Sequence, residues 1–375
     1  MRKNNRFNIT AILLTATLIF ACFSLTISSA NEMFVSARSA ALYEPQNGIF
    51  IFEKNKDTRL PMASTTKIMT ALVAIENGNL EEKIKIDPRA IGIEGSSLYL
   101  QSGEEISLED LIYAVLLRSA NDAAAAIAYK ISGSIEDFAA LMNDRAAQLG
   151  LTDTNFTNPH GLDDEMHYTT AHDLAIIAAA ALKNETFKKI ASTYKTTIES
   201  TDGTKRLVAN HNKLLLLYDG AIGVKTGFTK RSGRCLVGAA ERDGLLLVSV
   251  TIDAPDDWND HMRMLDLGFS LYEYRAFAAP EEYSYTLPVV GADIDMVTVK
   301  NAHGIGAVME KDAAKIKAVI KLSPYLAAPI SKGDIVGRVL FLQDGKEIGH
   351  IDLIATESAA LKKGKGFFDI FRKKD

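Results

Sequence analysis

Three short clusters in this 375-residue chain have residue types and spacing that could do covalent chemistry: Ser64-Thr65-Thr66-Lys67, Ser119-Ala120-Asn121 and Lys225-Thr226-Gly227. Serine at its free pKa is a poor nucleophile and needs a base against it. Three positions apart on a helix, the Ser64 hydroxyl and the Lys67 amine share a face and can hydrogen-bond. A helix N-terminus also presents backbone N–H groups to a developing oxyanion. Lysine is a base only when neutral, so its pKa must be lowered by burial and a second cation, for which Lys225 is the candidate. Ser119 can pass a proton between Lys67 and a leaving amine, and Asn121 can hold the lysine or a substrate amide. Lys225 and Thr226, a cation beside a hydroxyl on a strand, suit a terminal carboxylate. Gly227 would let substrate backbone approach that edge without a Cβ in the way. The chemistry is acyl transfer from a peptide with a free C-terminus.

No cluster carries this alone. Ser-x-x-Lys recurs as Ser192-Thr193-Tyr194-Lys195, and Ser-x-Asn recurs as Ser29-Ala30-Asn31. Ser64 by itself reads as a helix cap, and Ser119 with Asn121 reads as a loop between helices. The elements around them decide. Ala40-Ala41-Leu42-Tyr43 and Gly48-Ile49-Phe50-Ile51-Phe52 have the composition of two strands joined by a turn. Ile68, Leu72 and Ile75 then recur at helical spacing up to Asn77-Gly78, which places Ser64 at the helix start. Ser107 with Asp110, Ser134 with Asp137 and Thr170 with Asp173 have the spacing of N-terminal caps. An alanine-rich helix follows Asn121.

From Ala221 the period changes to 2. Segments 221–227, 234–241 and 245–253 read as strands, the last two joined by a hairpin at Arg242-Asp243-Gly244. Strands early, helices in the middle and strands late predict one sheet built from both ends of the domain, with a helical cluster against it. Segment 266–274 reads as a closing helix. Beyond it, short alternating strands without a reactive cluster predict a small all-β domain over residues 277–358. The fold class expected is therefore α+β.

The ends and the composition narrow the setting. Arg2, Lys3 and Arg6 precede an apolar run over 9–27, and Ser28-Ser29-Ala30 suits signal peptidase, so residues 1–30 read as a secretory signal cleaved after Ala30. An uncleaved membrane anchor is the alternative, since the run is nearly long enough to span a bilayer. Export by this signal would place the protein on the outer face of the cytoplasmic membrane or in the cell wall. Cleavage would remove Cys22 and leave Cys235 alone, so neither an internal disulfide nor a cysteine metal site can form. The net charge of −5 conceals a basic tail: residues 359–375 interleave Lys362, Lys363, Lys365, Arg372, Lys373 and Lys374 with Phe367, Phe368, Ile370 and Phe371. That composition suits an anionic membrane surface, or else a solvated terminus. The acidic remainder argues against nucleic-acid binding.

The clusters and their flanks resemble the penicillin-interacting serine enzymes, namely penicillin-binding proteins and serine β-lactamases. Pro61-Met62-Ala63-Ser64-Thr65-Thr66-Lys67-Ile68-Met69-Thr70, Leu117-Arg118-Ser119-Ala120-Asn121-Asp122, Asn158-Pro159-His160-Gly161-Leu162 and Gly223-Val224-Lys225-Thr226-Gly227 are similar to the D-alanyl-D-alanine carboxypeptidases among them. The resemblance implies a transpeptidase-type catalytic domain over residues 31–276, followed by the β-rich domain. It implies Ser64 as acylated nucleophile, Lys67 as base, Ser119 and Asn121 in the proton relay, and Lys225 with Thr226 on the terminal carboxylate. The oxyanion hole would use the N–H groups of Ser64 and Phe228. The expected partners are peptidoglycan stem peptides and, as covalent inhibitors, β-lactams.

Two departures stand out. Ala120 replaces a frequent glycine, and where some members carry a carboxylate-binding arginine this chain has Asp256-Asp257-Trp258-Asn259, with Arg263 a poor substitute. Neither metal nor cofactor is expected, because the spacing of His160, His167 and His172 does not imply a cluster and His160 falls in a structural turn. The rival functions are a β-lactamase, an endopeptidase of the same superfamily and a non-catalytic wall-binding protein. No Glu-x-x-Leu-Asn segment follows Ser119-Ala120-Asn121 to activate a deacylating water.

Overall fold

The computed structural model describes residues 33–362; the expected signal and nearly all of the basic tail lie outside the described residues. An antiparallel sheet gathers strands from both ends of the first body. Strands β1 (Ser39–Glu44), β2 (Ile49–Lys54), β3 (Ala221–Thr229), β4 (Gly233–Arg242) and β5 (Leu245–Ile252) pair in the order β2-β1-β5-β4-β3. Ala41 lies opposite Val250, which closes the body across most of its sequence. Strand β3, which carries Lys225, is a sheet edge and is therefore open to another extended backbone.

The α-helices longer than four residues are α1 (Lys67–Asn77), α2 (Leu108–Tyr113), α3 (Asn121–Ser132), α4 (Ile135–Gln148), α5 (Ala171–Leu182), α6 (Glu185–Ser192) and α7 (Asp257–Leu271). The three expected caps form: Ser107, Ser134 and Thr170 accept from the N–H groups of Asp110, Asp137 and Asp173 at 3.0–3.1 Å. Helix α5 is apolar nearly all round and runs through the interior against β1, β5 and α1. In α3 the buried alanines 123–126 and 128 lack bulk, so neighbouring helices approach closely.

Helix α7 differs from expectation, starting at Asp257 rather than at residue 266. Its acid-rich first turn looks like a loop in sequence but is held by distant partners. Arg234 takes Asp257 at 2.8 and 2.9 Å, while Arg263 and the Ser36 N–H and hydroxyl take the fully buried Asp260. Inside, the His261 ring lies between the Ser249 hydroxyl (2.7 Å) and the Thr251 hydroxyl (3.0 Å) of β5. Helix α6 and the small ribbons Lys83–Lys85 with Glu105–Ser107 and Lys195–Glu199 with Lys205–Ala209 were also not foreseen. They are too short for a periodic signal.

A second core, around Val297, Val299, Val339, Phe341 and Leu353, lies under a six-stranded sheet that includes strands Met296–Lys300, Lys317–Leu322 and Ile335–Gln343, within the region expected to be all-β. Strand Tyr272–Ala278 leaves α7 directly and pairs with Ile305–Glu310, so it crosses the expected boundary after residue 276. At the other end Ala359 and Leu361, expected in the tail, bridge to Ile330 and Ala292. Among the described residues no helix is long and apolar enough to cross a membrane.

Burial lowers the His261 pKa to about 3, so the folded state keeps this ring neutral where the unfolded chain protonates it near pH 6.5. Its contribution is complete above pH 6.5 and is lost as pH falls toward 3, at about 1.4 kcal/mol per unit. Denaturant melts at pH 7 and pH 5 should show His261→Asn losing about 2 kcal/mol less over that interval than the parent chain.

Candidate active site

Ser64 sits in a 3₁₀ turn, Ala63–Thr66, that feeds directly into α1. The turn is tight and carries Ala63 at φ +47°, an unusual conformation for a residue with a Cβ. Strand β3 lies flush against it. A Cβ on Gly227 would stand 3.0 Å from the Ser64 nitrogen and 3.2 Å from the Ala63 Cβ. Glycine at 227 thus lets the strand pack tightly on the turn that carries Ser64, where a Cβ would press on backbone atoms.

Lys67 begins α1 with its side chain pointing into the core, fully buried. Its Nζ lies 3.1 Å from Ser64 Oγ, 2.7 Å from Asn121 Oδ1, and within hydrogen-bonding distance of the His160 carbonyl. Asn121 is oriented unambiguously, because its Nδ2 donates to the Glu94 carbonyl and leaves Oδ1 for Lys67. Burial first, and the Lys225 charge second, hold the Lys67 pKa well below that of an ordinary lysine, with Asp122 acting weakly in the opposite sense. A neutral amine has two N–H donors and one lone pair. Asn121 Oδ1 and the His160 carbonyl can only accept, so they take both hydrogens and the lone pair is left for the Ser64 hydroxyl.

Ser119 follows a π-helical turn, Ala114–Arg118, and has φ +63°. A left-handed serine at a π turn is backbone strain of about 1–3 kcal/mol, of the kind that collects at functional sites. It turns the chain abruptly so that Ser119 faces the cleft while Asn121, two residues on, reaches Lys67. The buried Asp122 beside them accepts from Ser97 Oγ and the N–H groups of Leu98, Leu100 and Ala123, fixing the loop opposite. Strand β3 is irregular in a similar way: a bulge between Ala221 and Gly223 is followed by Val224 at φ +96°. The bulge directs Lys225 inward, where it is buried, donates to the Thr226 carbonyl at 2.8 Å, and has its pKa lowered by burial to about 7.

These elements enclose a cleft of about 760 Å³. Ser64, Ser119, Thr226, Gly227 and Phe228 line it, with Lys67, Asn121 and Lys225 behind its wall. Ser119 makes no hydrogen bond to Lys67 in this arrangement; Asn121 and the His160 carbonyl occupy the lysine instead. His160, read from sequence as a turn residue only, therefore also contributes its carbonyl, a backbone role with no sequence signal of its own. Arg263 is turned away onto Asp256 and Asp260, whereas Arg234, which the sequence reading missed, lines the cleft beside Trp258 and is pinned by Asp257. Strand pairing sets Arg234 opposite Phe228, a placement with no signal in the sequence of β4 itself. Among the described residues no group of three or more His, Cys, Asp or Glu is placed to hold a metal.

Fold and site together define a serine enzyme of the acyl-transferring kind, with a lysine in place of the usual histidine. A sequence profile described as D-alanyl-D-alanine carboxypeptidase matches residues 26–256, and one described as the C-terminal domain of penicillin-binding protein 5 matches residues 272–360. The D-alanyl-D-alanine carboxypeptidase DacF of Bacillus subtilis is 32% identical over 353 residues, spanning 92% of this chain and 90% of the relative. DacC of Escherichia coli is 32% identical, spanning 89% and 86%. Penicillin binding protein 5 from Haemophilus influenzae superimposes with a TM-score of 0.64 at 29% identity, covering 88% of this chain and 98% of that structure. The chain belongs to the D-alanyl-D-alanine carboxypeptidase family.

Because Lys225 contributes to the low Lys67 pKa, Lys225→Gln should raise it. In penicillin acylation measured against pH, the acid limb of the rate should move to higher pH in that variant; an unmoved limb would mean that burial alone sets the lysine.

Proposed function

We propose that this protein removes the terminal D-alanine from peptidoglycan stem pentapeptides through a covalent acyl-enzyme on Ser64. The observation that carries the reading is the contact set of Lys67, which leaves one lone pair of a buried, pKa-lowered amine for one hydroxyl. Family membership and the relatives named as D-alanyl-D-alanine carboxypeptidases support it.

Lys225 and Thr226 hold the substrate's terminal carboxylate while its backbone lies along the β3 edge. Ser64 Oγ bonds to the carbonyl carbon of the penultimate D-alanine and its proton passes to Lys67 Nζ. The N–H groups of Ser64 and Phe228 receive the oxyanion. As the C–N bond breaks, the proton reaches the leaving amine by way of Ser119, and water then hydrolyses the acyl-enzyme. A β-lactam follows the same first step. The acid lining the cleft is Asp257, which is engaged by Arg234, so among the described residues that line the cleft there is no free carboxylate to speed deacylation. The penicilloyl adduct is accordingly long-lived, which favours this reading over a β-lactamase.

An endopeptidase acting on cross-links is the second reading. The D-alanyl-D-alanine endopeptidase of Escherichia coli is 29% identical over 231 residues, but covers 60% of this chain where DacF and DacC extend through both bodies. Export by the signal at residues 1–30 and attachment to the membrane surface by the basic tail complete the proposal, on the strength of the sequence pattern.

Three outcomes are expected. Purified protein releases D-alanine from a defined pentapeptide and retains penicillin as a stable mass adduct, and Ser64→Ala abolishes both; fast penicillin turnover without an adduct would overturn the assignment. The kcat/KM for the pentapeptide falls as pH rises through about 7, where Lys225 loses its charge. That limb disappears for the C-terminal amide analogue, which brings no carboxylate to Lys225.

A further inference from the structure

His167 is almost completely buried, outside the cleft, and takes no part in the steps above. Its Nδ1 receives the N–H of Thr157 at 3.0 Å, so this nitrogen is the acceptor and the ring proton must lie on Nε2. Nε2 lies 2.7 Å from Thr66 Oγ1, to which it therefore donates, and the Thr66 hydroxyl passes its own hydrogen to the Ala63 carbonyl at 2.7 Å. The chain of donors has one possible direction: Thr157 N–H, His167, Thr66, Ala63 C=O. The ring does not rest on a loose loop. Asn155 and Tyr168 exchange backbone hydrogen bonds, Leu60 and Thr169 do the same, and the His167 ring meets Phe156 edge-on. Burial lowers the His167 pKa to about 4, which keeps the single tautomer in place under ordinary conditions.

The Ala63 carbonyl is the far end of the peptide that contains the Ser64 N–H. A trans peptide is planar, so fixing the direction of the carbonyl fixes the N–H pointing the opposite way. The Thr66 hydroxyl fixes it, and Gly161, where a Cβ would stand 2.0 Å from the Ala63 oxygen, leaves the space that the carbonyl occupies. Ala63 itself is at φ +47° and would not hold that angle unaided. We propose that His167 is a positioning residue which, through Thr66 and the Ala63 carbonyl, aims the Ser64 N–H at the oxyanion of the acylation transition state. The proposal rests on Ser64 being the nucleophile, and deepens that reading.

The test is single-turnover acylation by a labelled penicillin, resolved into binding and acylation constants, with melting temperatures in parallel. His167→Phe and Thr66→Val should each slow the acylation step by ~10- to 100-fold with little change in binding, a part of the ~10²–10³-fold that losing an oxyanion donor outright costs. The double variant should be no slower than the worse single. Thr66→Ser and His167→Gln, which restore the hydroxyl and the donor, should recover most of the rate. Unchanged acylation in the single variants, losses that multiply in the double, or rates that follow melting temperature alone would each overturn the proposal. Should His167→Phe not fold, the Thr66→Val and Thr66→Ser pair decides. Acylation is read independently of D-alanine release, so a protein that is acylated but releases no D-alanine loses its assigned substrate and leaves this comparison intact.

Discussion

A lysine amine buried without a touching carboxylate is the constraint from which the rest of this structure follows. Taking an ammonium out of water costs several kcal/mol, and a protein avoids that cost by leaving the amine neutral. Lys67 is enclosed by the 3₁₀ turn carrying Ser64, by Asn121 at the start of α3 and by the turn containing His160, and each contributes one contact. A carboxylate in that shell would restore the charge and remove the base. Asn121 has nearly the shape of an aspartate without its charge, while Asp122 beside it spends its oxygens on four neighbouring groups.

The surrounding fold serves to hold strained backbone in place. Ala63, Ser119 and Val224 all have positive φ, and each stands within one residue of a site residue. Such conformations persist only where neighbours over-determine them. Here β4 pairs along β3, the interior helix α5 backs α1 and the sheet, and Gly161 and Gly227 remove the Cβ atoms that would push the nucleophile's turn away. The site is therefore rigid at the turn and open at the sheet edge, which suits an enzyme that must receive an extended peptide backbone.

Charge is distributed to the same end. Lys225 is buried and near half-charged at neutral pH, so a carboxylate arriving beside it gains a partner and keeps it protonated. Arg234 stays permanently charged on the neighbouring strand β4, but Asp257 holds it in position and offsets its field. The two cations are thus unequal: one is buried with a lowered pKa, and the other lines the cleft in an ion pair.

The sequence alone determined the local parts. Ser64, Lys67, Ser119, Asn121, Lys225 and Thr226 were legible because their types, order and placement on helix start, helix junction and strand are one-dimensional facts. The three caps, the hairpin at Asp243-Gly244 and the strands at both ends of the first body were legible for the same reason, since periods of 3.6 and 2 and turn chemistry act over a few residues. What only the tertiary structure decided depends on groups far apart in the chain or on backbone atoms common to every residue. The early start of α7 required Arg234 and Ser36. The third contact on Lys67 is a carbonyl, which no residue type announces. Arg234 entered the cleft because strand pairing put it opposite Phe228, and His167 reached Thr66 across 101 residues because two buried loops met. The reagents were written in the sequence; which lone pair faces which proton was fixed by packing, because hydrogen bonds are directional and sequence spacing is not.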